Sequence, residues 1–308
     1  MSYKFKIRTI VLLLIIGCAY SQSSNHIKPQ NGLLWKISGN GLKESSYIIG
    51  TSHKVSSLFL DSICGFRIAF NSVTRVVGEL SETDLGSTGP EFLEYLKSPA
   101  AMMPIDTSYN NIFTELDLER IDSVLFMYSK VKLDKAKFLR PNVVKMIILQ
   151  MVLSSIYTQQ PYKESIDSYI INKAKENGKE TIGIETVKEQ TNIIYIKDST
   201  LNIEAKQLVY FVNHLPDFIQ SRKLSRDAFR KQDLNLLEDI FNGNSNKESQ
   251  TEDDRILKNR NISWMKKLST LITEKPTLIT VGALHLVGEF GLINQFRKLG
   301  YVVNPINE

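Results

Sequence analysis

An α/β fold, with a mixed central β-sheet flanked by helices and a largely helical middle insertion, is what three features of the sequence predict. Short β-rich apolar runs occupy both flanks of the chain, at 33–50 and 277–303. Between them, long segments repeat their apolar residues at the 3.6-residue helical period. The closing segment reads strand, helix, strand, a unit that favours a mixed or parallel sheet covered by helices.

In chain order, 33–38 and 46–50 read as strands joined across the turn-forming Gly39-Asn40-Gly41, a hairpin. Residues 75–80 form a short strand, and 181–186 another after the Asn177-Gly178 helix stop. Both end by delivering a carboxylate, Glu79 and Glu185. The segment 141–157 starts with a proline suited to a first helical turn and is apolar around most of its circumference, so a buried helix is expected. Core packing accounts for its 146–156 stretch better than the lining of a substrate cleft. Segments 161–176, 204–220, 225–241 and 252–273 carry helical periodicity with charged outer faces. The run 242–250 has no apolar residue beyond its glycine and should be an exposed loop. A helix at 288–299 stops at Gly300, and 301–303 is the last strand. Residues 26–308 are therefore expected to form a single α/β domain with a mainly helical region at 90–275.

Residues 1–21 stand apart as a secretion signal. Lys4, Lys6 and Arg8 precede the apolar stretch 10–17, which at roughly 8 to 10 apolar residues is shorter than the ~20 needed to span a bilayer. Two processing routes are open. Ile15-Ile16-Gly17-Cys18 resembles a lipobox, which would attach Cys18 to a bacterial membrane through lipid; Ala19-Tyr20-Ser21 before Gln22 resembles an ordinary cleavage site. Either route makes the protein exported, to the periplasm or beyond. Loss of the three basic residues takes the formal net charge from +5 to +2, a small surplus that does not amount to the basic stripe of a nucleic-acid binder. Cys64 is then the one mature cysteine, so no intrachain disulfide forms. It is expected to be a small buried residue.

Two segments near opposite ends share one form, an apolar run followed by glycine, two residues and histidine: Gly50-Thr51-Ser52-His53 and Gly282-Ala283-Leu284-His285. They use two of the four histidines in 308 residues. Each reads as a buried strand that stops at a glycine, where the chain turns and presents an imidazole at the strand end. Open α/β sheets place ligands there. Gly50 and Gly282 read as permissive backbone positions, since neither phosphate-loop glycine pattern is present and nucleotide cofactors are not expected. Thr51 and Ser52 support the turn or position substrate.

These motifs, with Glu79 after a hydrophobic strand, Glu185-Thr186 with Gln190, Arg260-Asn261 with Met265, and Gly288-Glu289-Phe290-Gly291, resemble the TraB/GumN family, which includes the Tiki-type metalloproteases. The likeness extends over 33–305. It implies an α/β domain with a helical middle and a site near the ends of the central strands. From the family's metalloprotease members it further implies a divalent metal held by His53, Glu79 and His285.

The residue chemistry is compatible with more than one outcome. Two imidazoles and one or two carboxylates form an N/O set for Zn, Mn or Co with a position left for water, and the metal would make that water a nucleophile toward a peptide or small-molecule substrate. Against this, there is no His-Glu-x-x-His helix and no Gly-x-Ser-x-Gly elbow; the set would join histidines 232 positions apart. A metal-free esterase-like hydrolase would use a histidine or Glu79 as base, and a non-catalytic peptide- or ligand-binding protein would keep the same pocket. Glu79 serves as ligand, base or structural ion pair, and Glu185 lines the site or caps a helix. Arg260 would clamp a substrate carboxylate, orient Glu79 or make a surface salt bridge. Asn261 would donate to an oxyanion or pack its helix. His26 and His214 fall outside this set, the latter expected to make a local contact near a helix end, and the Met102-Met103 pair is expected to pack a loop.

Overall fold

The computed structural model describes residues 31–81, 88–157, 164–194, 199–243 and 254–307. The expected secretion signal, Cys18, His26 and most of the 242–250 run lie outside them. The strands are β1 (Leu34–Ser38), β2 (Ser46–Thr51), β3 (Arg75–Gly78), β4 (Glu180–Gly183), β5 (Thr277–Gly282) and β6 (Val302–Pro305). They form one mixed sheet in the order β4-β3-β5-β2-β1-β6. β1 and β2 make the expected antiparallel hairpin, β6 lies antiparallel to β1, and β2, β5, β3 and β4 run parallel. β2 and β5 are buried almost throughout, and so carry continuous apolar runs in place of an alternating pattern.

The helices are α1 (Phe66–Ser72), α2 (Thr88–Lys97), α3 (Glu115–Ser129), α4 (Pro141–Tyr157), α5 (Ile166–Glu176), α6 (Val187–Ile194), α7 (Leu201–Asn213), α8 (Leu215–Arg230), α9 (Leu234–Gly243), α10 (Asn259–Glu274) and α11 (Leu292–Lys298). α4 has the predicted limits. The helix expected at 204–220 is instead two, broken at His214, because Pro216 cannot continue a helix but suits the first turn of α8. His214 makes its expected local contact, with Nδ1 2.8 Å from the Tyr210 carbonyl. A second break separates α8 from α9, where Gln232 takes a left-handed φ of 56°. The strand expected at 181–186 stops at Gly183, since Thr186 and Glu189 form reciprocal capping bonds that start α6.

Two hydrophobic clusters result. One surrounds the sheet, with Trp35, Ile48, Ile279 and Phe296 among its buried side chains. The other lies in the helical middle around Ile121, Val143, Ile148 and Leu208, and Met102 and Met103 pack against it as expected. α4 meets the core expectation through Met146, Ile148, Val152 and Ile156, yet its Gln150, Leu153 and Tyr157 line a cleft. Cys64 departs from expectation and is exposed: its neighbours Ile63 and Phe66 turn into the core, which leaves the thiol pointing out. Among the described residues, no helix is long and apolar enough to cross a membrane.

Candidate functional site

Parallel pairing brings the two Gly-x-x-His segments together. β2 and β5 are neighbours in register, with Gly50 opposite Val281 and Thr51 opposite Gly282, so both histidines leave the carboxyl end of the sheet. Neither glycine has a positive φ. Gly50 provides room, not an unusual turn. A Cβ at Gly50 would lie 2.9 Å from Leu286 Cδ1 and 3.0 Å from Ala283 Cα, and at Gly282 the backbone N–H donates to Glu79 Oε1 at 2.8 Å.

The floor of the site is a buried polar cluster around Arg260, which is 5% exposed and lies where the π-helical turn Asp254–Lys258 runs on into α10. Its Nη2 donates to Glu79 Oε2 at 2.6 Å and to Glu185 Oε2 at 2.8 Å, and its Nε to Glu185 Oε1 at 2.9 Å. Nη1 donates to the Ile256 carbonyl at 3.3 Å and meets His285 Nε2 at 3.2 Å. These contacts occupy all five N–H donors of the guanidinium. Arg260 therefore orients Glu79 and Glu185; it has no fork left to clamp a substrate carboxylate. Trp264 Nε1 adds a bond to Glu185 Oε1 at 2.8 Å, and Gln190 Nε2 one to Glu79 Oε2 at 3.3 Å.

Asn261 fixes His285. Its Nδ2 donates to the carbonyls of His285 and Phe290 at 3.1 and 2.9 Å, so its Oδ1 is the atom 2.6 Å from His285 Nδ1 and must accept from it. Nε2 is then the lone pair that receives Arg260. Burial, reinforced by the Arg260 charge, pushes His285 down to about 3 despite the opposing pull of Glu79. Asn261 spends its amide hydrogens on backbone and is a positioning residue, not an oxyanion donor. Burial pushes Glu79 up, but its neighbours outweigh burial and hold it at about 2. His285 and Arg260 lead those neighbours; with His285 neutral, the lasting cause is the guanidinium together with the Gly282 amide.

His53 occupies the mouth. Its side chain is 61% exposed, with Nδ1 2.9 Å from Asp167 Oδ2, and Thr51 Oγ1 donates to the other oxygen of Asp167. The Asp167 carboxylate raises His53 to about 9 against the effect of burial, with a smaller contribution from Glu79; the ring's exposure to the cleft screens that pull. Asp167, in the first turn of α5, was not among the residues singled out from sequence. It reads there as an ordinary first-turn helix acid, and only burial at 6% exposure sets it apart.

His53, Glu79 and His285 thus share one site but do not converge as ligands. The lone pairs of His285 Nε2 and Glu79 Oε2 are turned onto Arg260, whose charge stands where a dication would be held, and His53 is paired to Asp167. This arrangement does not fit a resident divalent metal, and among the described residues no group of three or more His, Cys, Asp or Glu is placed to hold one.

The cleft above the cluster has a volume of about 670 Å³, within the usual range of ligand sites. Thr280 lines it, and in this residue, 1% exposed, Oγ1 has no hydrogen-bond partner among the described residues. A second concavity, of about 520 Å³, lies over Tyr109 and Leu133. Its charged groups are exposed surface pairs such as Lys137 with Asp134, not a convergent cluster.

A polar cluster and cleft at the carboxyl ends of parallel strands define an α/β protein with a ligand or catalytic site at the sheet edge. The chain belongs to the TraB/PrgY/gumN family, whose sequence profile matches residues 33–305. No curated protein and no solved structure matches it significantly.

Proposed function

We propose that this chain is a hydrolase that cleaves an ester or amide without a resident metal, with His53 as general base and Asp167 as the group that orients it. The observation that carries this reading is the Arg260 guanidinium seated between Glu79, Glu185 and His285. It supplies in permanent form the positive charge that a dication would bring, and it leaves the His53–Asp167 pair as the proton-transfer device facing the cleft. The neutral His53 ring takes a proton from an attacking water and returns it to the leaving group, while Asp167 stabilises the imidazolium formed between the two steps. Thr280 lies on the wall of the cleft that holds that water. Gln190 turns an amide toward the same space, where it donates to the developing oxyanion. Resemblance to the Tiki-type metalloproteases favours a peptide bond as the target, and the basic and apolar segment at 4–17 favours action outside the cytoplasm.

The test is turnover of a chromogenic ester and of a peptide library by protein treated with chelator, with and without added Zn, Mn or Co. Activity is expected to survive chelation, and His53→Ala is expected to lower kcat/KM by about 10² to 10⁴ while the circular dichroism spectrum is unchanged. Turnover lost to chelator and restored by one metal would overturn the metal-free reading in favour of a metal-dependent hydrolase. Saturable binding of a peptide with no product would favour a binding protein.

A further inference from the structure

The two glycine-histidine motifs differ at the residue after the glycine, and the difference falls inside the site. In the second motif that residue is Ala283, which offers no polar side-chain atom, and His285 takes its orientation from Asn261 on α10. In the first it is Thr51, the last residue of β2 and 2% exposed. A hydroxyl at so buried a strand end costs free energy unless it is hydrogen-bonded, and it donates to Asp167 Oδ1. Asp167 is thereby engaged at both oxygens, Oδ1 by Thr51 and Oδ2 by His53, whose Nδ1 is 2.9 Å away.

A carboxylate engaged only by an imidazole can turn about its Cβ–Cγ bond and present either oxygen. A donor fixed on a β-strand and occupying Oδ1 removes that freedom. The chain after β2 holds the backbone of Asp167 in the same way. Ser57 N–H donates to the Glu164 carbonyl at 2.8 Å, and Ser56 pairs with Ser165 in an antiparallel bridge. Ser165 caps α5 by accepting from the Ser168 N–H at 3.1 Å, which leaves the Asp167 carboxylate to Thr51 and His53. Glu79 and Arg260 also act on the His53 ring, with opposite signs, but the Thr51 hydroxyl is directed to Asp167.

We infer that Thr51 is a positioning residue: its hydroxyl fixes the Asp167 carboxylate so that the other oxygen meets His53 in the geometry proton transfer requires. This rests on the hydrolase reading and deepens it, and it gives the threonine of the first motif a role that the alanine of the second does not share. The test reads the pair directly as well as through turnover. The His53 ring is titrated by proton NMR in the unaltered protein and in Thr51→Val, Thr51→Ala and Thr51→Ser, with its signal assigned by its loss in His53→Ala. In the unaltered protein Asp167 raises the midpoint to about 9. Thr51→Val and Thr51→Ala should each bring it down toward 6.5, because a carboxylate able to turn is less often against the ring. Thr51→Ser keeps the hydroxyl and should keep the midpoint near 9. Thr51→Val should also lower kcat about tenfold with KM unchanged, as loss of one hydrogen bond to a charged group gives, and should add nothing to the loss in Asp167→Asn. Circular dichroism checks folding, and Thr51→Ala carries the test if valine is not accommodated. A midpoint that stays in place or rises in both variants would mean that the hydroxyl only shares the charge of Asp167, and would overturn the inference. A loss of kcat that adds to that of Asp167→Asn would overturn it too. A lowered midpoint in protein that turns over no ester or peptide would uphold the positioning role while removing the hydrolase reading. Turnover with an unmoved midpoint would do the reverse.

Discussion

Asp167 holds His53 charged through the neutral range, while burial and Arg260 hold His285 neutral, although each ring follows a glycine by three positions. The difference is made by the partner at Nδ1: a carboxylate favours the imidazolium, whereas the Asn261 carbonyl oxygen accepts one proton and leaves Nε2 to face a cation. A general base works when neutral, so kcat/KM should rise with pH and level off near 9, the value to which Asp167 raises His53. Asp167→Asn removes the largest cause of that rise. The limb should then move from about 9 toward the ordinary 6.5, and the plateau should fall by about 10 to 10³ as the ring loses its orienting partner. Profiles of kcat/KM from pH 5 to 10 for the two proteins check this; a limb that stays in place would show that Asp167 does not set the base. The doubled motif made both histidines legible in the sequence. Their opposite protonation was not, because Asp167 and Asn261 stand 114 and 24 positions from the rings they control.

At the scale of elements, the parallel β2–β5 pair converts two distant motifs into one site, and Gly50 allows that pair to carry the short turn Ala283–His285 against it. Gly50 lies in extended strand, and what it excludes is a side chain that would meet Leu286 Cδ1 and the Ala283 backbone. Gly50→Ala should therefore destabilise by about 1 to 3 kcal/mol through overpacking, and it should lower activity further by displacing His285. Gly243→Ala, where a Cβ meets nothing within 4 Å, should change stability by less than about 0.5 kcal/mol. Chemical denaturation of both variants is the measurement, and equal midpoints would refute the packing role. Strand identity and the limits of α4 were readable from composition and period. The breaks at His214 and Gln232 were less so, since helical spacing runs through both sites and the interruptions come from one proline and one left-handed residue.

Across the whole molecule, the Arg260 cluster joins the ends of β3 and β5, the β4–α6 connection and the first turn of α10. It closes the carboxyl edge of the sheet as a brace as well as a site floor. Such a brace is strong only while its carboxylates are ionised, because a buried guanidinium left without partners costs about 3 to 5 kcal/mol. Glu79 sits at about 2 in the folded protein against an ordinary 4.5. A carboxyl whose folded value is depressed contributes stability that is fully present above its unfolded value and is lost as the pH falls through the folded one. The unfolding free energy should thus begin to fall below about pH 6.5, where unfolded His285 binds a proton that the folded ring, held at about 3, does not, and Glu79 should add its own decline between about 4.5 and 2. Glu79→Gln cannot ionise in either state, so it should start from a lower stability at pH 7 and decline less steeply over that interval. Denaturant midpoints taken across the interval for both proteins measure the difference. Parallel declines would mean that the acid sensitivity arises elsewhere and that Glu79 is not the ionised partner holding Arg260 in place.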